Sequence, residues 1–162
     1  MFDLKGRKAL VTGASGGIGG AIAQALSTRG AQVGLSGTRI DALETLAGEI
    51  GSSAHIFPAD LSSVDGAEQL AKDATDTMGV IDILINNAGL TRDNLAMRLK
   101  DEDWQTVLDV NLTSGFRLSR AVLRGMMKAR WGRIIGITSI VGVTGNRGQA
   151  NYAASKAGMI GM

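Results

Sequence analysis

Tyr152 and Lys156 stand four residues apart, so on a helix they share one face and the ammonium lies beside the phenol. A neighbouring cation stabilises phenolate and brings a tyrosine hydroxyl toward the range useful to a general acid. Tyr152 is the only tyrosine in the chain, and Ser139 precedes it by thirteen residues at the end of a strand-like run. From that position the serine hydroxyl can bond the same substrate oxygen, while Lys156 can also hold a nucleotide ribose. The pair has an ordinary reading too, since Tyr and Lys at this spacing are common on solvated helix faces. Other chemistries fall away. With no cysteine there is no thiolate nucleophile, and one histidine, His55, cannot build a histidine-rich metal centre, so no metal is expected. His55 reads as a strand residue without catalytic duty, because nothing complementary accompanies it.

A second chemical feature lies near the start, where "KALVT" runs into "TGASGGIGG" with Gly13, Gly17 and Gly19 ahead of a helical pattern. A backbone that turns sharply, approaches a pyrophosphate and then packs a helix against its strand needs residues without Cβ at such points. The free N–H groups of the helix then face the phosphates. Glycine clusters also occur in plain loops, but this one has the strand-loop-helix context the motif requires. The end of the second strand reads Ser36-Gly37-Thr38-Arg39, with no carboxylate for a ribose 2′-OH. Arg39 instead offers a forked cation suited to a 2′-phosphate, which favours NADP(H) over NAD(H); it could equally decorate the first turn of the next helix. Asp60 and Leu61 close the third strand, where the aspartate either accepts from an adenine amine or makes a turn. Asn86 to Gly89, "NNAG", closes the fourth and is placed to brace the crevice between strands one and four.

The elements that must position these groups follow from hydrophobic period. Five short apolar runs, Lys8 to Thr12, Ala31 to Ser36, Ala54 to Ala59, Asp82 to Asn86 and Arg133 to Ser139, alternate with longer segments of helical spacing. That alternation predicts βαβ units, hence an α/β fold with a Rossmann-type doubly wound parallel sheet and helices on both faces. Pro58 suits an edge strand or a strand end. Ile18, Ala21, Ile22, Ala25 and Leu26 predict a helix that stops near Gly30; Thr38-x-x-Asp41 predicts a capping box for a second; Ser62 or Ser63 is placed to cap a third. A long helical region from Asp101 to about Arg130 is expected to break near Asn111, and a last helix to begin near Gln149. The 162 residues, 44% apolar and 20% charged, suit one domain spanning 1–162. A formal charge of +2 is too mild to argue for nucleic acid, and charges interrupt every apolar stretch before membrane-spanning length, so a cytoplasmic protein is expected.

Taken in order, Thr12-Gly13-(x3)-Gly17-Ile18-Gly19, Asn86-Asn87-Ala88-Gly89, Asn111, Ser139 and Tyr152-(x3)-Lys156 resemble the motif set of the short-chain dehydrogenase/reductase family along the whole chain. The resemblance implies hydride transfer from a nicotinamide to a carbonyl, with Tyr152 as proton donor and Ser139 polarising the carbonyl. It also implies that Lys156 tunes the tyrosine and that Asn111 holds a water in the proton relay. Nucleotide contacts are implied for Thr12, Gly13, Ser15, Gly17, Ile18 and Gly19, for Thr38, Arg39, Asp60 and Leu61, and for Asn87, Ala88, Gly89, Tyr152 and Lys156.

Within the family, "NNAGLTRDNLAMRLKDEDW" and "GNRGQANYAASKAG" are similar to the 3-oxoacyl-acyl carrier protein reductases of bacterial fatty-acid synthesis. In that branch NADPH reduces a 3-ketoacyl thioester to the 3-hydroxy form; an acetoacetyl-CoA or other short-chain carbonyl reductase is the alternative. Arg117, Arg120, Arg124, Lys128, Arg130 and Arg133 fall in a stretch without acids, the first four at helical steps. Such a stripe either steers an acidic partner such as acyl carrier protein, chiefly through Arg124, Lys128, Arg130 and Arg133, or is an ordinary solvated face. Family members are commonly tetramers, so a homo-oligomer is expected. They also continue through two further strands and a lid, so the resemblance implies an incomplete reductase whose sheet lacks its C-terminal strands. Ile134, Ile135 and Ile137 would then lie on an exposed edge. A nucleotide-binding or self-associating fragment without turnover is the contrasting expectation.

Overall fold

The computed structural model describes residues 3–162. Five strands, β1 (Lys8–Val11), β2 (Gln32–Gly37), β3 (Ala54–Pro58), β4 (Ile83–Asn86) and β5 (Arg133–Gly136), lie in the order β3-β2-β1-β4-β5. All pair in parallel, and Ala9 of β1 sits opposite both Val33 of β2 and Ile83 of β4. The chain winds outward from β1 to β3, then returns to start again at β4. Connections therefore leave β1 and β4 in opposite directions, and a crevice opens beyond their carboxyl ends.

Strands buried on both faces read as near-continuous apolar runs, which is why "KALV" and "ILIN" lack the alternation of a half-solvated sheet. Ala9, Val11, Val33, Leu35, Ile83 and Ile85 face α1 (Gly17–Thr28) and α2 (Ile40–Ile50), through Ala23, Leu43 and Leu46. Leu10, Phe57 and Leu84 face the other way, onto Leu70, Ala74 and Met78 of α3 (Gly66–Met78) and onto Leu118, Val122 and Met126 farther along the chain. Pro58 ends the edge strand β3, where a missing donor costs no ladder bond. At the opposite edge β5 leaves Ile134 and Ile135 37% and 46% exposed, while Ile137 packs partly against the α1/α2 side.

Three local expectations need correction. Asn111 does not break the long helix: α4 (Asp101–Leu108) passes through one π turn, Asp109–Thr113, into α5 (Ser114–Ala129) with right-handed backbone angles at both joins. The wide turn absorbs an extra residue and leaves the axis continuous. Thr38 forms no capping box, since α2 starts after Arg39 without a side-chain cap. Ser62 and Ser63 do not cap α3 either; their hydroxyls donate to the Asp60 carboxylate (2.7 Å) and carbonyl (2.9 Å), and α3 starts after Asp65. Within the loop, Asp60 supplies nearer acceptors than the helix supplies donors.

The chain closes with α6 (Val141–Thr144) and α7 (Ala150–Gly161). Among the described residues, no helix is long and apolar enough to cross a membrane. The contrast between core and edge is open to test by urea denaturation. Leu10→Ala, at a side chain with no exposure, is expected to cost about 2–5 kcal/mol, and Ile134→Ala on the open edge about 1 kcal/mol or less.

Candidate functional site

The site is built on the join between β1 and β4. Thr12, 1% exposed, donates its hydroxyl to the Ile85 carbonyl (3.1 Å) and accepts from the amides of Asn87 and Ala88 (3.0 Å each). Asn87 returns the bond, its Nδ2 donating to the carbonyls of Thr12 (2.9 Å) and Gly13 (3.3 Å). Gly13 turns the chain with φ +64, and a Cβ there would lie 2.9 Å from Ala88 Cα. At Gly19 a Cβ would collide with the Gly13 carbonyl and stand 2.7 Å from Asn87 Nδ2. The glycines are thus dictated by the close approach of α1 to the strand ends, while open space surrounds Gly17. The first turn of α1 carries neither an acid nor a side-chain cap, so its unpaired amides present the positive end of the helix to the crevice.

Over this cradle lies a cleft of about 560 Å³. Gly13, Ser15, Gly17, Ile18 and Gly19 line its floor, Thr38 and Arg39 one side, Asp60 and Leu61 the next, and Asn87, Ala88 and Gly89 the far end. Thr12 lies beneath the floor and is not among the lining residues. Arg39 Nη2 donates to the Ser15 carbonyl, which holds the guanidinium over the glycine loop. Asp60 accepts from the hydroxyl and amide of Ser62, the hydroxyl contributing most, and these bonds lower its carboxyl pKa. It is therefore a turn residue that also lines the cleft. Leu61 is buried in the α3 cluster with one side on the cleft. Asn86 differs from its neighbour: its Nδ2 turns away to Ser119 Oγ (3.1 Å) and the Gly115 carbonyl (3.4 Å) of α5, so it ties β4 to a helix and does not brace the crevice.

Of the four groups singled out for chemistry, Asn111 and Lys156 meet at Gly89 and Tyr152 neighbours Lys156, while Ser139 lies on the turn after β5; none of the four lines the cleft itself. A Cβ on that glycine would lie 3.3 Å from Asn111 Oδ1 and 3.7 Å from Lys156 Nζ, so both abut the far end of the cleft. Asn111, buried at the π turn, accepts from the Leu90 amide (2.8 Å) and donates to the Leu90 carbonyl (3.0 Å) and Ser155 Oγ (3.1 Å). Lys156 is 4% exposed; its Nζ donates to the Ile137 carbonyl (2.6 Å) and stands 5.7 Å from the centroid of the Tyr152 ring. Burial lowers its pKa from the usual 10.5. Ser139, partly buried after β5, accepts from the Val141 amide (3.2 Å). Its turn is pressed onto α7, because a Cβ at Gly142 would meet the Lys156–Ala157 backbone at 2.8 Å.

Ile137, Leu90, Ser155 and Asn151 hold this end together, yet none is singled out by the sequence. Three act through backbone groups or as helix-internal hydroxyls, which leave no mark on residue type. Asn151 is the exception, an amide at a fully buried helix position. Of the cationic stripe, Arg117 donates to the Val64 carbonyl (2.7 Å) and Arg120 pairs with Glu68 (2.8 Å). Arg124, Lys128, Arg130 and Arg133 are exposed.

Residues 7–162 match the family described as short chain dehydrogenase. The chain is 60% identical to Nodulation protein G of Rhizobium sp. (strain N33) over 161 residues, 99% of this chain and 66% of that protein. It is 52% identical to the 3-oxoacyl-[acyl-carrier-protein] reductase FabG of Vibrio cholerae and 48% identical to that of Escherichia coli K12, each over 160 residues and again 66% of the relative. A crystal structure from Sinorhizobium meliloti 1021, provisionally described as a short-chain alcohol dehydrogenase, superposes with a TM-score of 0.93 at 33% identity, covering 98% of this chain and 64% of that one.

The buried ammonium has a consequence for pH. Between its lowered value and 10.5 the unfolded chain binds more protons than the folded one, so this lysine's contribution to stability rises with pH through that window. Urea midpoints measured from neutral pH upward are expected to show wild type gaining on Lys156→Met as pH climbs toward 10.5, with the difference constant at lower pH.

Proposed function

The chain belongs to the short-chain dehydrogenase family, and from that premise we propose that the protein is an NADPH-dependent reductase of 3-oxoacyl thioesters presented by acyl carrier protein. The observation that carries the reading is the meeting of a glycine-floored cleft, overhung by Arg39, with the Tyr152/Lys156 face beyond Gly89. The cleft fits a dinucleotide. Its floor is open where a phosphate needs room, at Gly17, and closed where α1 must touch the strands, at Gly19. Arg39 suits the 2′-phosphate of NADP. When bound, the nicotinamide supplies a hydride to a carbonyl carbon.

The chain's own groups do the rest of the work. The Tyr152 hydroxyl donates a proton to the substrate oxygen, and Ser139 hydrogen-bonds the same oxygen and polarises the carbonyl. Lys156, steadied by the Ile137 carbonyl, keeps a positive charge near the ring and favours the phenolate left after transfer. Asn111, clamped to Leu90, fixes the π turn against α7 beside the ammonium and offers a place for a relay water. The two relatives named as 3-oxoacyl-[acyl-carrier-protein] reductases support the choice of substrate. Arg124, Lys128, Arg130 and Arg133 give an acidic carrier a cationic surface to approach, and pairing between copies of the chain completes the working oligomer. The second reading is the same carbonyl chemistry on another acyl thioester such as acetoacetyl-CoA, since the relative at 60% identity carries a name, Nodulation protein G, that specifies no carrier.

Steady-state oxidation of NADPH with a 3-ketoacyl thioester tests the reading; Tyr152→Phe is expected to lower kcat by about 10²–10⁴-fold, and retained turnover removes Tyr152 as the acid. Carrier-linked and CoA-linked substrates compared by kcat/KM separate the two readings. Arg39→Ala is expected to raise the KM for NADPH about tenfold or more, with a smaller change for NADH, which has no 2′-phosphate for the lost fork to meet.

A further inference from the structure

Tyr152 is the third residue of α7, in the turn whose amides have no intrahelical acceptor and which frays most readily. Gln149, at the N-cap, makes no side-chain cap bond to that turn. What holds the turn is Asn151. Its side chain is fully buried, its Oδ1 accepts from the Tyr152 amide (2.8 Å) and its Nδ2 donates to the Arg92 carbonyl (2.9 Å). Two further bonds run alongside: the Asn94 amide to the Gly148 carbonyl (2.9 Å) and Gln149 Nε2 to Asp93 Oδ2 (3.0 Å). The segment 92–94 is thus stitched to the entry of α7 in three places. The same segment reaches the cleft, because Arg92 lines it and approaches Asp103 of α4 at 3.9 Å.

We propose that Asn151 is a positioning residue that fixes the ring of Tyr152 relative to the cleft, with residues 92–94 as its anchor. The proposal rests on the reading of Tyr152 as the proton donor. An amide is the side chain the position requires, since it must accept from one backbone group and donate to another across a gap closed to water. Without it the Tyr152 amide and the Arg92 carbonyl both lose their partner, and the first turn of α7 is free to rotate the phenol away from Lys156. Proton delivery suffers while the nucleotide cradle, built on β1 and α1, stays intact.

Tyr152 is the chain's only tyrosine, so biosynthetic incorporation of 3-fluorotyrosine labels this ring alone. The expected result for Asn151→Ala is a broadened or split ¹⁹F resonance where wild type gives one narrow line. Its kcat should fall about 10–100-fold, as for misplaced catalytic groups, with the KM for thioester and the Kd for NADPH within about twofold and the solvent deuterium isotope effect on kcat enlarged. A loss of folded protein lowers kcat but leaves the isotope effect where it was. Asp93→Ala, at an exposed partner of Gln149, is expected to move both readouts in the same direction by a smaller amount, and serves if Asn151→Ala does not fold. A single wild-type resonance in the variants overturns the proposal, as does an unchanged kcat and isotope effect. If wild type itself does not turn over a 3-ketoacyl thioester while Asn151→Ala still splits the resonance, the reductase reading fails and the positioning role stands.

Discussion

The hydroxyl of Thr12 holds the two windings of the sheet in register where they diverge. Through it and the answering amide of Asn87, the end of β1 shares five hydrogen bonds with β4 and the loop that follows it, at the one place where adjacent parallel strands send their connections to opposite faces. Thr12 itself is shut off from water, and a bond left unmade there costs as much as a buried polar group without a partner. The cradle of Gly13 and Gly19 and the far end of the cleft at Ala88 and Gly89 therefore move as one piece. Whatever binds across the crevice meets a floor joined by these bonds.

The proposed reactive end has a different origin. It is assembled from the second winding alone, with Asn111 from the π turn, Ser139 from the loop after β5, and Tyr152 and Lys156 from α7. Its centre is a buried ammonium held by a main-chain carbonyl of residue 137. An ion taken from water is tolerated only with partners, and here the Ile137 carbonyl, just past β5, meets an ammonium carried by α7. That bond ties the residue after β5 to α7 in a way that apolar packing by itself does not, for β5 is otherwise an exposed edge. In the proposed reaction the same charge that costs stability is the one that acts on the tyrosine, so the local weakness and the proposed chemistry share a cause.

Between the two ends runs the segment from Leu90 to Leu99, largely exposed and short of regular structure, yet fastened at Leu90 to Asn111 and at residues 92–94 to α7. Leu90 and Arg92 line the cleft while the backbone of the segment holds Asn111 and the first turn of α7. A segment of this kind transmits position without contributing a reactive group. It also explains why α7, with an uncapped first turn, presents its tyrosine in a defined place. The cationic surface on and after α5 divides in the same way, since Arg117 and Arg120 bond Val64, ahead of α3, and Glu68 within it, and the residues beyond them remain for solvent or a partner.

Residue type and period were enough to determine the five strands, the four long helices that cover the sheet, the glycine cradle and the Tyr152/Lys156 face. Each of these is local: apolar runs read as strands, 3.6-residue spacing as helices, and missing Cβ atoms as close approach. Asn87 was legible by its place after a strand, but the opposite aim of Asn86 was not, because successive residues of a strand differ in face and only the packed helix shows which face holds a donor's partner. The sequence also read the interruption at Asn111 as a break. Only tertiary contact with Leu90 and Ser155 shows why the helix widens there and continues. Ile137, Leu90 and Arg92 act through their carbonyls, and every residue has one. Which carbonyl meets an ammonium or an amide is decided when distant segments pack, so that part of the site belonged to the three-dimensional structure alone.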